Sequence, residues 1–254
     1  MNNLHKLVVL TISCLVLISQ QASAQGNTAD LVAQSLAHPQ RPAEDAADDA
    51  RRMPLEVLAF AGIEPGMTVL ELEAGSGYYT EILSRVVGPD GAVIMHNPPA
   101  FESFAGEAIR QRTAGSRLSN VEVSRTNFDT LDVPDASVDM VTWILGPHEL
   151  WWEPSENVSL GDPVGSFAEI ARVLKPGGKL LAIDHIAPPG SSTDVGGTLH
   201  RIGENHITAL AERAGLSMLR SSNLHKNEND PLDIGVFDPQ IQGRTSKFVL
   251  VFEK

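Results

Sequence analysis

Gly75 and Gly77 stand at the end of the apolar run Val69-Leu-Glu-Leu72, directly before a helical stretch that opens at Tyr78. Two glycines at a strand-to-helix turn let backbone approach a ligand closely, with the N–H groups of the first helical turn facing it. Glu71, at the end of the strand, suits a ligand bearing hydroxyls or an ammonium rather than bare phosphates. A nucleoside-triphosphate loop is excluded, because no Lys-Ser/Thr follows the glycines. A dinucleotide site would want a third glycine at position 80, where Thr80 stands, and an acid about 20 residues on, where the sequence reads His96-Asn97.

More side chains capable of chemistry gather at the ends of two later apolar runs. Trp143-Ile-Leu-Gly-Pro-His-Glu-Leu-Trp-Trp152 holds all three tryptophans together with His148 and Glu149, and Asp184-His185 closes the other run. Imidazole titrates near neutrality, so His148 and His185, with Glu149, are candidates for proton transfer or substrate positioning; capping and core roles compete. The two histidines with Glu149 and Asp184 could instead ligate a metal, but no tight spacing such as His-Glu-x-x-His occurs and no metal ligand is assigned. Trp143, His200 and Arg201 complete the candidate substrate side. Arg201 either clamps a carboxylate or phosphate of a substrate or pairs with a surface acid. No nucleophile elbow, Ser-His-Asp signature or cysteine nucleophile is present.

The elements that must position these residues alternate along the chain. Candidate strands are Thr68–Leu72, Ala92–Met95, Val121–Ser124, Val138–Leu145, Lys179–Asp184, Met218–Ser222 and Phe248–Phe252. Helical stretches lie near Tyr79–Val87, Phe101–Arg112, Val164–Leu174 and Gly203–Ala214, with another around Asp45–Ala61. The turns Glu64-Pro65-Gly66, Pro89-Asp90-Gly91 and Lys175-Pro176-Gly177-Gly178 each precede a strand. Regular alternation argues a doubly wound α/β fold with a mostly parallel sheet covered on both faces. In such a sheet ligands bind beyond the carboxyl ends of the strands, where the glycines and the histidines fall.

Composition narrows the partners. Of 254 residues, 19 are Lys or Arg and 32 Asp or Glu, a net charge of −13, which offers no electrostatic footprint for nucleic-acid phosphates. A content of 42% hydrophobic and 20% charged residues is that of a globular protein with a sizeable core. Lys6, the 12-residue apolar run Leu7–Ile18 and Ala22-Ser23-Ala24 have the form of a cleaved export signal, too short to span a bilayer. Residues 1–24 are thus expected to be removed, 25–49 to form a flexible leader, and 50–254 to form the α/β domain. A periplasmic or secreted location without a stable membrane anchor follows. The single cysteine, Cys14, leaves with the signal.

The run from Val69 to Gly77 resembles motif I of class I S-adenosylmethionine-dependent methyltransferases. Val133-Pro-Asp-Ala-Ser-Val-Asp-Met-Val141 resembles that superfamily's segment opening strand four. Ala171-Arg-Val-Leu-Lys-Pro-Gly-Gly-Lys-Leu180 resembles its helix-to-strand-five block. More narrowly, Gly77-Tyr-Tyr-Thr-Glu-Ile-Leu83, Asp184-His185, Leu199-His-Arg-Ile202 and Phe237-Asp-Pro239 look like a group of exported predicted methyltransferases. The resemblance covers roughly Met53 to the C-terminus and implies a Rossmann-like, seven-stranded sheet whose last strand is antiparallel.

By that resemblance, Glu71, Gly75, Ser76 and Gly77 line the methionine part of S-adenosylmethionine. Glu73, which replaces the motif's first glycine, and Tyr78 lie beside them. Asn97 stands where an acid usually holds the ribose, and Asn127-Phe128 where an acid and a small residue usually meet the adenine. Asparagine bonds without charge, so weaker or altered nucleoside binding is expected. The implied activity is methyl transfer to a small-molecule acceptor, with His148 or His185 as a possible base. The alternatives are a binding protein on this fold with lost or altered catalysis, and a metal- or histidine-assisted enzyme on the same scaffold.

Overall fold

The computed structural model describes residues 28–254. The short β-branched and aliphatic runs become β1 (Thr68–Leu72), β2 (Ala92–His96), β3 (Val121–Ser124), β4 (Val138–Ile144), β5 (Leu174–His185), β6 (Ser217–Ser222) and β7 (Lys247–Glu253). They form one sheet in the order β3-β2-β1-β4-β5-β7-β6. Strands β1 to β5 pair in parallel, and β7 runs antiparallel to both β5 and β6. The expected doubly wound sheet with an antiparallel last strand is therefore the observed one. Every expected strand is present, and β5 begins earlier because Leu174 already pairs with Val138.

Alternation along the strands builds two cores. Leu70, Leu72, Val141, Trp143, Leu180 and Phe252 point to one face, against Ile109 of α5 (Glu102–Thr113), Phe167 and Ile170 of α6 (Pro163–Val173) and Ile207 of α8 (Glu204–Arg213). Val69, Met140, Leu181, Ile183 and Val251 point to the other, against Val57 and Leu58 of α3 (Pro54–Ala61) and Ile82 and Leu83 of α4 (Tyr78–Val87). From β1 the chain winds outward through β2 and β3, then returns to β4 on the other side of β1. That reversal opens a crevice at the carboxyl ends of β1 and β4, where ligands bind in open α/β sheets.

Two expectations change at the N-terminal side. The helix expected around Asp45–Ala61 is two helices, α2 (Ala46–Arg52) and α3, broken at Met53 with φ 47°. Pro54 is the cause: its ring bars a continuous helix and instead starts a new one. The flexible leader expected over residues 25–49 is, from residue 28 on, folded structure. Residues 28–36 form helix α1 with Val32 fully buried, and Thr28 Oγ1 donates to the Ile63 carbonyl at 2.7 Å. Arg41 grips Asp49 through two bonds of 2.9 and 2.5 Å, and Arg112 of α5 grips Asp45 at 2.7 and 2.9 Å. Partners far away in sequence order this polar, alanine-rich stretch. The expected export signal lies outside the described residues, and no described helix is long and apolar enough to cross a membrane.

Candidate functional site

After β1 the backbone turns through left-handed conformations at Glu73 (φ 54°), Gly75 (φ 58°) and Gly77 (φ 85°). Asn97, just past β2, fixes this loop: its Oδ1 accepts from the Gly75 N–H at 2.8 Å and its Nδ2 donates to the Gly75 carbonyl at 3.2 Å. Asn97 is 1% exposed with its carbonyl committed, so it shapes the glycine loop rather than standing free for a ribose. The two glycines differ in purpose. A Cβ on Gly77 would lie 2.9 Å from Met95 Cε, the end of a flexible side chain, and 3.0 Å from Arg112 Cγ, so its left-handed φ of 85°, more than packing, calls for glycine there. A Cβ on Gly75 meets nothing within 4 Å and would project into open space.

That space is a cavity of about 170 Å³ lined by Glu71, Glu73, Gly75, Ser76 and Tyr78, with Arg52 of α2 opposite. The Tyr78 hydroxyl donates to Asp49 at 2.6 Å, and the Arg52 guanidinium lies 4.6 Å from the Tyr78 ring centre. The N-terminal segment is thus a wall of the site. Burial pushes the Glu71 carboxyl up to about 7, against the opposing pull of the Thr80 hydroxyl 2.5 Å away. Burial, then the neighbouring Glu149 carboxylate, raises Glu73 well above the usual range; the Trp143 indole N–H, 3.3 Å away, opposes the rise. A cationic group entering the cavity relieves this penalty, and binding of cations is favoured there.

Glu71 carries a stability consequence. Its folded pKa is raised, so the folded state holds the proton between about pH 4.5 and 7, and stability declines as pH rises through that window. Glu71→Gln is expected to stabilise the ligand-free protein on the order of 3 kcal/mol at pH 8 and hardly at all at pH 4. Urea denaturation at the two pH values measures this; an equal effect at both refutes it.

A larger cavity of about 400 Å³ shares Arg52, Glu73 and Tyr79 with the first and is walled further by His148, Glu149, His185 and Lys247. His148, in the turn Pro147–Trp151 after β4, places Nδ1 2.8 Å from Asp184 Oδ1 and Nε2 3.2 Å from Glu149 Oε1. Burial works against a charged ring, but the Asp184 and Glu149 carboxylates outweigh it and push His148 up to about 10. A ring held charged by two carboxylates is a poor proton acceptor at neutral pH, which leaves His185 the better placed of the two candidate bases. His185 is the neutral ring: burial, then the Lys247 ammonium, holds it well below its ordinary value. Its Nδ1 lies 2.7 Å from Thr245 Oγ1. Lys247 faces His185 across the β5–β7 register and is itself pushed down to about 8 by burial.

Several expected residues lie elsewhere. Trp143 is fully buried, its ring 4.7 Å from Phe128 and 5.9 Å from Phe167, because its position on β4 points into the core; it cannot touch a substrate. Phe128 is fully buried in the same stack and lines neither cavity. Asn127 donates to the Ser159 carbonyl at 3.4 Å, away from both cavities. Arg201 is fully buried in a two-bond pair with Asp230, both at 2.9 Å, and is a structural ion pair, not a substrate clamp. His200 does join the site, its Nδ1 3.2 Å from His148 Nε2. Arg52, Tyr79, Lys247 and His225 line the larger cavity without a sequence signal. Lys247 was findable only through the strand register that sets it opposite His185.

Known proteins agree with this architecture. Residues 70–182 match the model of the methyltransferase domain family. A ubiquinone/menaquinone biosynthesis C-methyltransferase of Shewanella pealeana is 33% identical over 129 residues, 50% of this chain and 46% of that protein. The chain thus spans about half the length of the curated relatives it matches. A methyltransferase from Aquifex aeolicus described as S-adenosylmethionine-dependent superposes with TM-score 0.57 at 24% identity, over 82% of this chain and 95% of that one. A Haloferax volcanii putative methyltransferase, solved with its Trm112 activator, gives TM-score 0.59 at 20% identity over 83% and 92%. At these identities the structures speak for the fold alone. Residues 70–182 accordingly resemble a methyltransferase domain, and the chain has the Rossmann-like fold of the class I S-adenosylmethionine-dependent methyltransferases.

Proposed function

We propose that the protein transfers a methyl group from S-adenosylmethionine to a small-molecule acceptor. The observation that carries this reading is the glycine turn at the sheet's switch point. There Gly75 leaves open space beside two buried carboxyls, next to a second cavity large enough for an acceptor. The donor set suits the methionine end of the cofactor, whose ammonium and sulfonium are cations: Glu71 and Glu73 supply carboxylates, and Gly75 and Ser76 supply close backbone. When bound, the cofactor supplies an already activated methyl group, so alignment accounts for most of the acceleration and the protein needs little chemistry of its own. Asn97 contributes by holding the Gly75 backbone in its left-handed form.

A small acceptor is favoured by the −13 charge and by the likeness to proteins named for quinone biosynthesis. His185, neutral and facing the acceptor cavity, is the group placed to take a proton from an acceptor that must lose one. Export by the N-terminal signal is part of the same proposal, supported by Lys6, the apolar run 7–18 and Ala22-Ser23-Ala24.

Calorimetric titration with S-adenosylmethionine and S-adenosylhomocysteine tests the cofactor. Micromolar binding is expected, and no binding by folded protein sinks the proposal. With an acceptor from a screen of small hydroxylated and quinol compounds, His185→Ala is expected to lower kcat by roughly 10²–10⁴, the usual worth of a general base, and to leave S-adenosylhomocysteine affinity unchanged. A matching loss of affinity would make His185 a binding residue instead.

A further inference from the structure

Three ligand-type atoms converge at the edge of the acceptor cavity. His148 Nε2 lies 3.2 Å from His200 Nδ1 and 3.2 Å from Glu149 Oε1, and His200 Nδ1 lies 3.6 Å from the same oxygen. A tetrahedral ion with bonds of 2.0–2.1 Å has ligand-to-ligand edges of about 3.3 Å. We propose that His148, Glu149 and His200 bind a divalent first-row metal ion, with zinc the best match to two imidazoles and one carboxylate.

The surroundings are those of a ligand set. The Asp184 carboxylate, fully buried, takes the Nδ1–H of His148 at 2.8 Å and its backbone N–H at 2.6 Å. With Nδ1–H held by Asp184, a metal ion that displaces the Nε2 proton of His148 meets a lone pair directed at the other two atoms, the carboxylate–histidine arrangement typical behind metal ligands. The second oxygen of Glu149 is buried and has no hydrogen-bond partner among the described residues. A proton satisfies only one edge of such a triangle, whereas a cation accepts all three lone pairs. His148 and Glu149 both line the acceptor cavity, so a remaining coordination position is reachable from it.

The backbone is arranged to bring the three together. His200 caps α7 (Val195–Leu199) with φ 53°, a conformation that histidine adopts only at a cost. The helix lies directly against the Pro147–Trp151 turn because Gly196 and Gly197 carry no side chain. A Cβ on Gly196 would sit 2.7 Å from the His148 carbonyl, and one on Gly197 would overlap the Trp151 carbonyl. This close approach delivers a residue 52 positions away to His148. His185 is not part of the set, since its Nδ1 is turned to Thr245.

The inference concerns the acceptor side of the proposed methyltransferase site, but its test reads metal rather than methyl transfer, so each reading fails separately. The purified protein is stripped with a chelator and titrated with Zn²⁺ against a chromophoric competitor, with elemental analysis after gel filtration. One zinc per chain is expected, together with a rise in the thermal midpoint. His200→Ala and Glu149→Gln should each weaken binding at least ~100-fold, Asp184→Asn roughly 10- to 100-fold, and His185→Ala less than about threefold. Should the variants fail to fold, Co²⁺ added to the wild type must give the intense visible bands of a four-coordinate site. Substoichiometric zinc in folded protein, zinc affinity untouched in both His200→Ala and Glu149→Gln, or weak octahedral cobalt bands would each overturn the proposal.

Discussion

Gly75→Val is expected to weaken S-adenosylhomocysteine binding at least ~100-fold, about 2.8 kcal/mol, while the fold survives. The reason is specific to this glycine. Its side-chain direction opens into the cavity bounded by Glu71, Glu73 and Ser76, where an isopropyl group meets no protein atom at its Cβ but fills the space a ligand's backbone contact requires. The substitution also places a β-branched residue at φ 58°, which costs roughly 1–2 kcal/mol of stability. Gly66→Val isolates that cost: Gly66 has φ 82°, likewise meets nothing within 4 Å, and lies in the turn before β1, away from both cavities. Calorimetry should find affinity lost in Gly75→Val and retained in Gly66→Val, with similar losses of stability in both. Unchanged affinity in folded Gly75→Val would mean that the ligand binds elsewhere.

Arg201→Ala should destabilise the protein by about 3–5 kcal/mol, the scale for breaking a buried ion pair from one side. Arg201 and Asp230 are joined by two 2.9 Å bonds with both side chains fully buried. The arginine also donates to the carbonyls of Ile186 and Ile234, tying the end of β5 to the segment that carries Val236 and Phe237 into the larger cavity. Burial opposes ionisation of Asp230, but Arg201 and the backbone N–H groups of Ser246 and Leu232 outweigh it and hold the carboxyl below its usual 3.8. A depressed carboxylate stabilises the fold above its unfolded pKa and loses that contribution as pH falls through the folded value. The wild type should therefore lose stability below pH 3.8 from this group. In Arg201→Ala most of the loss is already present at pH 7. Chemical denaturation at pH 7 and pH 3 measures both, and a change under 1 kcal/mol at pH 7 contradicts the assigned role.

The strands and the glycine turn were legible because their signals are local. Val, Ile and Leu in runs of four to seven residues between Pro-Gly turns specify buried parallel strands whatever the rest of the chain does. Gly75 and Gly77 after such a run mark a backbone that must turn sharply and stay bare. Once β1 is located, the position of the site follows from topology.

What the sequence could not yield depends on partners distant along the chain. Residues 28–49 read as a leader because they are polar and rich in alanine; they fold because Thr28 meets the Ile63 carbonyl and Arg112 arrives from 67 positions away to meet Asp45. Trp143 and His148 lie five residues apart, yet strand alternation sends Trp143 into the core while the following turn brings His148 to the cavity. Arg201 and His200 are adjacent, but only tertiary packing decides that the arginine is a buried strut and the histidine a neighbour of His148. Protonation is likewise a property of the assembled site: two imidazoles of one intrinsic pKa part because His148 sits between carboxylates and His185 beside an ammonium. The sequence by itself determined the sheet, its turns and the end of it at which the candidate site lies. The tertiary structure alone decided which side chains share that end, and in what charge state, since burial and electrostatic neighbours exist only after folding.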